Sequence, residues 1–454
     1  MATGTLPKVR ISSLDQFRGY TVAGMFLVNY LGGFFACPFV LQHHNTYCSY
    51  ADTIMPGFFF AVGFSLRLSF GRRAIEQGLA GAYWHVAKRL FGLALVAIFI
   101  SHQGSPNLHD HPFDWDTMKH LGWNAFHDPL KRDWFQTLMH IAVTSLWILP
   151  VIRLAPLWRV LYMLVSAGIH VWLSGWFYFD WVNGVPNPPT GIDGGPLGFL
   201  TWTIPTMIGT LACDAVMTPR SRSGLLARLF IWGIVLMGLG WLLSCGTRWY
   251  DVAEEQVPLY AKEKLAKDPV VPSNDQFQEW STNLKQGHFS RVLAEPPFVP
   301  PPHSRDPKDT KGEEKTVDHS ELYRKWNYWM MSQRAGTVSY LTFGAGFSLA
   351  LYGLFYLLAD MVGLRIGVFR TLGTNALVGY ILHEFTGEAV KKFVPRDAPG
   401  SGMPVSGSEL LHHPLTSLGQ IADANAMWLS FALFFFITWL FVRSLEKKGI
   451  FIKL

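Results

Sequence analysis

Hydrophobic positions in this chain gather into long blocks nearly free of charge, separated by stretches in which Lys, Arg, Gly, Pro and Asn concentrate. A helix rises about 1.5 Å per residue, so about 20 apolar residues cross a hydrocarbon core roughly 30 Å thick. Ten blocks approach that length, near 15–36, 53–71, 86–101, 135–152, 156–174, 197–217, 225–246, 336–358, 371–388 and 425–443. They predict an all-α fold, a polytopic integral membrane helix bundle of about 10 transmembrane helices, because backbone in lipid must satisfy its own hydrogen bonds. The polar interval 247–335 divides the chain into an N-terminal bundle at 1–246 and a C-terminal bundle at 336–454.

Basic residues then set the orientation. Lys8, Arg10 and Arg18, then Arg72, Arg73, Lys88 and Arg89, then Arg153 and Arg159, then Arg220, Arg222 and Arg228, then Arg365 and Arg370, then Lys447, Lys448 and Lys453 occupy alternate connections. That excess marks the cytoplasmic side, so both termini are expected to be cytoplasmic. The other side receives 37–52, which has no Lys or Arg, together with 102–134, 175–196, 247–335 and 389–424. The 247–335 loop contains EPPFVPPPH and SRDPKDTKGEEK, a composition that buries no core; it is expected to be mostly flexible, with helical ends near Trp280 and Trp326.

Composition sharpens this picture. Half of the 454 residues are hydrophobic and only 15% are charged, which excludes an ordinary soluble domain. The 18 Trp fit two interfacial belts. The net charge of +6 resides in short loops between apolar blocks, so the expected partner is the lipid bilayer and not nucleic acid. Cys37, Cys48, Cys213 and Cys245 have no CxxC or zinc-ligand spacing, leaving a Cys37–Cys48 bridge as one conceivable pairing. His109 and His111 form an HxH without further ligands at fixed spacing, and no metal is expected. No apolar segment with a small-residue cleavage site precedes the first block, which is expected to direct insertion itself.

Ionisable groups inside a membrane cost roughly 2.5–3.5 kcal/mol each at a helix centre, which makes them functional candidates. Asp15 and Arg18, one turn apart, suit either a local ion pair or a site in which Arg18 holds donor phosphates beside Arg72, Arg73, Lys88 or Arg89. Asn29 lies fourteen residues beyond Asp15, about 21 Å along the same helix. Gly32 and Gly33 remove bulk where a ligand or a second helix could approach. His43 and His44 precede Asp52 by eight or nine residues, within reach of it. A carboxylate bonded to one imidazole nitrogen fixes the tautomer and leaves the other as a base, although Asp52 equally suits a helix N-terminus. In the ninth block Asn375 sits at the cytoplasmic end, His383 and Glu384 about two turns higher, and Glu388 one turn beyond. Asn29, His43 or His44, Asp52, His383 and Glu384 thus share the outer third of the bundle, the side that also holds every histidine but His85.

The runs ISSLDQFRGYTVAGMFLVNYLGG, SYADTIMPGFFFAVGFSLRLSF, RTLGTNALVGYILHE and EKKGIFIKL, in this order, resemble the heparan-alpha-glucosaminide N-acetyltransferase family of membrane acyltransferases. The resemblance implies transfer of an acetyl group from cytoplasmic acetyl-CoA, the donor substrate, to an acceptor on the other side. It places the family's loop histidine at His44 first and His43 second, with Asn29 and Asp52 as polar partners and His383 matching the ninth-helix histidine. The chain departs from close relatives where their histidine stands ten residues before the Asp, since that position is Gln42 here and no Trp-Asn-Gly follows. The expected function is transfer of an acyl group to an amine or hydroxyl, with a small molecule or glycan as acceptor, in a bacterial-type cytoplasmic membrane. A multi-pass transporter or flippase for a small molecule or sugar is the alternative, and the lack of an internal repeat counts against it. A silent scaffold that docks a partner through the 247–335 loop is a third reading.

Overall fold

Helices make up nearly all the regular structure, and no strand occurs among the described residues. The structure, a computed structural model, describes residues 11–32, 34, 37–45, 47–101, 115, 122–123, 126–184, 189–219, 221–246, 273–289, 292–294, 296–299, 328–391 and 423–451. In chain order the helices are α1 (Ser12–Leu31), α2 (Ala51–Ser101), α3 (Thr137–Ile148), α4 (Pro156–Leu173), α5 (Phe179–Val182), α6 (Phe199–Met217), α7 (Arg222–Ser244), α8 (Asn274–Lys285), α9 (Val338–Phe355), α10 (Gly367–Thr374), α11 (Ala376–Lys391) and α12 (Asp423–Lys447).

Six segments among the described residues are long and apolar enough to cross a bilayer: Ala51–Ile100, Pro156–Val182, Phe199–Met217, Arg222–Ser244, Val338–Met361 and Met427–Lys447. The pair Phe126–Asp133 and Thr137–Val151, bent by 83°, adds a seventh if it is one broken span. The expected blocks at 53–71 and 86–101 merge into α2, broken only at Gly78 (φ 73°, ψ 170°), where a residue without Cβ takes a backbone conformation closed to others. The ninth block is divided at Asn375 (φ −124°, ψ 43°) into α10 and α11, the latter only 16 residues long. Helix α1 is the expected first block, diluted by Ser12, Ser13, Asp15, Gln16 and Arg18.

Small residues set the helix contacts. A Cβ added at Gly63 would fall 1.9 Å from the Thr206 carbonyl oxygen, and one at Gly209 would fall 2.1 Å from that of Phe60, so α2 and α6 touch backbone to backbone. Gly19 and Gly373 hold α1 against α10 in the same way, at 1.8 Å from the Phe369 oxygen and 1.9 Å from the Asp15 oxygen. Without a hydrophobic drive between helices in lipid, such close approach supplies the dispersion contact. One apolar core joins Phe17, Phe60 and Trp202 to Tyr340 and Tyr352; a second joins Phe26 and Tyr30 to Leu372 and Phe434. Both cores draw on residues from either side of the 247–335 interval.

A charged triad ties three helices together. Arg67 of α2 donates from Nε to Asp214 Oδ1 of α6 at 2.7 Å, and Arg159 of α4, fully buried, contacts the other oxygen of Asp214. Arg159 also donates to Thr210 Oγ1 at 2.8 Å and Arg67 to the Ile152 carbonyl at 2.7 Å. Arg159, expected in a basic connection, is therefore an internal strut.

The described parts of the 247–335 interval include one helix and a turn seated on the bundle through Phe298. Helix α8, which includes Trp280, begins with a reciprocal capping box of Ser273 and Gln276. Phe298 donates its backbone N–H to the Cys48 carbonyl at 2.9 Å and its ring packs on Phe343 and Phe347. The helix expected near Trp280 is present as α8, and Phe298 adds an anchored turn that the composition did not predict, because its ring finds apolar partners. Trp326, His109 and His111 lie outside the described residues.

Candidate functional site

Three connections meet at one end of the bundle: 37–50, 189–198 and 328–337. The backbone N–H of Gly194 donates to the Arg334 carbonyl at 2.9 Å, and that of Arg334 to Asn45 Oδ1 at 3.3 Å. Gly194 (φ 90°) and Gly336 (φ 61°) face each other so closely that a Cβ on Gly336 would stand 3.0 Å from the Gly194 Cα. These contacts tie the three connections to one another.

Asp52, in the first turn of α2, is buried at this junction. Its Oδ2 accepts from the backbone N–H and the hydroxyl of Ser49, both at 2.9 Å, while Ser49 Oγ accepts from the Asp52 N–H at 3.3 Å. Such a Ser-x-x-Asp exchange caps a helix N-terminus, which accounts for Oδ2. The second oxygen, Oδ1, accepts from Nδ1–H of His43 at 2.9 Å. His44 gives Asp52 only its backbone N–H, at 3.4 Å; its own ring is buried against Tyr47 and donates from Nε2 to the Phe39 carbonyl at 3.0 Å. The Asp-oriented imidazole is therefore that of His43, 47% of whose side-chain surface is accessible. Burial acts to lower the His43 pKa, but the hydrogen bond and charge of Asp52, with Asp193 and Gln333 adding to them, carry it above its ordinary value.

Two residues outside the expected set stand beside this pair. Asp193, buried at φ 54° in the turn before α6, accepts from Gln333 Nε2 at 2.7 Å, and its carbonyl accepts from Trp202 Nε1 at 2.7 Å. Burial pushes the Asp193 carboxyl up to about 6, against the opposing pull of Gln333 and His43. The only sign of it in the sequence is a lone acid within Gly-Ile-Asp-Gly-Gly, a turn pattern; nothing local marks Gln333.

A second polar pair joins α1 to α11. His383 gives its Nδ1–H to the Tyr380 carbonyl, so its Nε2 accepts from Asn29 Nδ2 at 3.3 Å. Glu384 Oε1 lies 3.3 Å from the same nitrogen, and the buried ring stacks on Phe26. Asn29 is exposed, which leaves its remaining amide proton free for a ligand. Among the described residues no hydrogen bond links this pair to His43 and Asp52. Asn375, expected at the other end of the ninth block, lies at the break between α10 and α11 and donates to the Ile450 carbonyl at 3.2 Å. Glu388 pairs with Lys391 at 3.6 Å.

Between α1, α2, α3 and α11 lies a cavity of about 690 Å³. One end is lined by Asp15, Arg18, Arg72 and Arg89, the other by Thr137 and Tyr380. It follows α2 from Arg72 to Phe58, fourteen residues or about 21 Å. Phe58 is only six residues, about 9 Å, from Asp52, and the Tyr380 ring lies 5.5 Å from that of His383. Arg73 and Lys88 do not line the cavity, contrary to their expected grouping with Arg18: Lys88 stands over the Trp84 ring at 5.5 Å, on the outward face of α2. Gly32 ends α1 and approaches no other element, Gly33 is outside the described residues, and Cys37 and Cys48 are free thiols. Among the described residues no group of three or more His, Cys, Asp or Glu side chains is arranged for a metal ion.

Comparison with known protein families and with curated proteins finds no match to this chain.

Proposed function

We propose that this chain is a membrane-embedded acyltransferase that moves an acetyl group from acetyl-CoA, bound from the cytoplasmic side, to an amine or hydroxyl of a small molecule or glycan on the outer side. The observation that carries this reading is the cavity with three arginines at one end and the polar residues of α3 and α11 at the other. Arginines suit phosphates, and a narrow apolar passage suits an extended acyl-carrying arm. The resemblance to the heparan-alpha-glucosaminide N-acetyltransferase family supports the same chemistry. In this reading α2 counts as two spans broken at Gly78, and with the bent pair, α1 and the α10–α11 pair the chain has about ten spans and both termini cytoplasmic.

His43 is the base. Its Nδ1–H stays on Asp52 while Nε2 takes the acceptor's proton. The acceptor nitrogen or oxygen attacks the thioester carbon, the C–S bond breaks, and the imidazolium returns its proton to the departing thiolate. Asn29, steadied by His383, donates to the carbonyl oxygen as charge builds there.

Calorimetry with acetyl-CoA on the detergent-purified protein tests the donor site. Saturable binding that weakens in Arg18→Ala and persists in His43→Ala is expected. No binding up to millimolar acetyl-CoA would overturn the reading and favour transport.

A further inference from the structure

Asp193 is a buried carboxylate with no Lys or Arg pairing with it among the described residues. Uncompensated, such a group is expensive, so its retention inside a fixed turn asks for a partner. Gln333 supplies one hydrogen bond, at 2.7 Å to Oδ1. Gln333 precedes Arg334, whose N–H is bonded to Asn45 at 3.3 Å, two residues from His43, so the acid and the imidazole sit on loops tied at one point, and each charge acts on the other. The framework around the acid is rigid: Trp202 holds its carbonyl, Arg334 holds the next amide, and Asn45 ties the Gln333 turn to the His43 loop. Gln333 also acts on His43, so the amide that donates to Asp193 stands beside the imidazole as well.

We propose that Asp193, steadied by Gln333, is a second positioning carboxylate for His43, stabilising the imidazolium that forms when the ring takes the acceptor's proton. The inference rests on the reading of His43 as the base. Asp52 fixes the ring through Nδ1, and Asp193 adds charge from a different loop. The proton passes from acceptor to imidazole to leaving thiolate, so neither carboxylate is consumed. Other titratable groups at the junction are His44, which faces the Phe39 carbonyl, Cys48, buried beside Asp52, and Tyr340 of α9, whose hydroxyl donates to the Asp52 carbonyl at 2.7 Å. None of them supplies a second negative charge at neutral pH.

The test is an NMR titration of ring-labelled histidine in the full-length protein in micelles, with the His43 signal assigned by its loss in His43→Gln. Asp193→Asn keeps an acceptor for Gln333 and a residue type that tolerates positive φ, so the fold is expected to persist. The His43 midpoint should fall by about one unit, since a single nearby charge shifts a pKa by roughly that much. Asp193→Glu should restore most of the elevation. A folded Asp193→Asn with an unchanged midpoint would overturn the proposal. If Asp193→Asn does not fold, Asp193→Gly, which removes the carboxylate and suits the positive φ, must lower the midpoint in its place; no shift there overturns it equally. The titration needs no substrate, so a wild type that titrates as expected but transfers no acetyl group would refute the acyltransferase reading alone.

Discussion

Nδ1 of His43 lies 2.9 Å from Oδ1 of Asp52, whereas the ring of its neighbour His44 is turned to the Phe39 carbonyl at 3.0 Å. The sequence puts His44 ahead of His43, but the structure reverses them: His43 is open and carboxylate-bound, while His44 is buried and satisfied by backbone.

Acetyl transfer in reconstituted vesicles separates them. His43→Ala should lose about 100-fold or more in rate, the usual size of a general-base contribution. His44→Ala should stay within several-fold of wild type while melting lower, because the ring packs on Tyr47. Full activity in His43→Ala would remove the base assignment.

The same pair makes stability depend on pH. The folded His43 pKa is raised above its unfolded value of about 6.5, so its contribution is complete below that pH and fades as pH rises through the folded pKa. The melting temperature of wild type minus that of His43→Gln should therefore be largest in acid and shrink toward alkaline pH. A difference that grows with pH would show that the pairing does not stabilise the charged ring.

Asp214 neutralises two arginines at once. Asp214→Asn leaves Arg67 and Arg159 facing each other, and removing one member of a buried ion cluster costs about 3–5 kcal/mol. The lower end is expected, since Asp214 is 30% exposed. Thermal unfolding in detergent reads this as a lower melting temperature, with the His43 titration unchanged.

Backbone contact leaves no room at Gly63 or Gly373. A methyl at Gly373 would sit 1.9 Å from the Asp15 oxygen, so Gly373→Ala must move α10 off α1 at a cost of about 1–3 kcal/mol. Because Asp15 and Arg18 lie on that helix and line the cavity, acetyl-CoA affinity should fall along with stability. Stability that drops while affinity stays unchanged would separate the α1–α10 contact from the donor site.

The sequence by itself determined the helical membrane character, because block length and the scarcity of charge answer directly to bilayer thickness and to the energy of burying ions. It also marked Asn29, the His43–His44 pair, Asp52, His383 and Glu384, since polar groups in apolar surroundings stand out one residue at a time. The helix-capping half of Asp52 was legible too, being an exchange between Ser49 and a residue three positions on. Only the tertiary structure decided which histidine meets Asp52, because side-chain direction in an irregular loop has no period to read. It alone joined Asp193 to Gln333 across 140 positions, and Arg67 to Asp214 across 147. Neither pair carries a local signature. Such contacts arise when close-packed helices bring loop ends together, and that geometry depends on every interhelical contact at once.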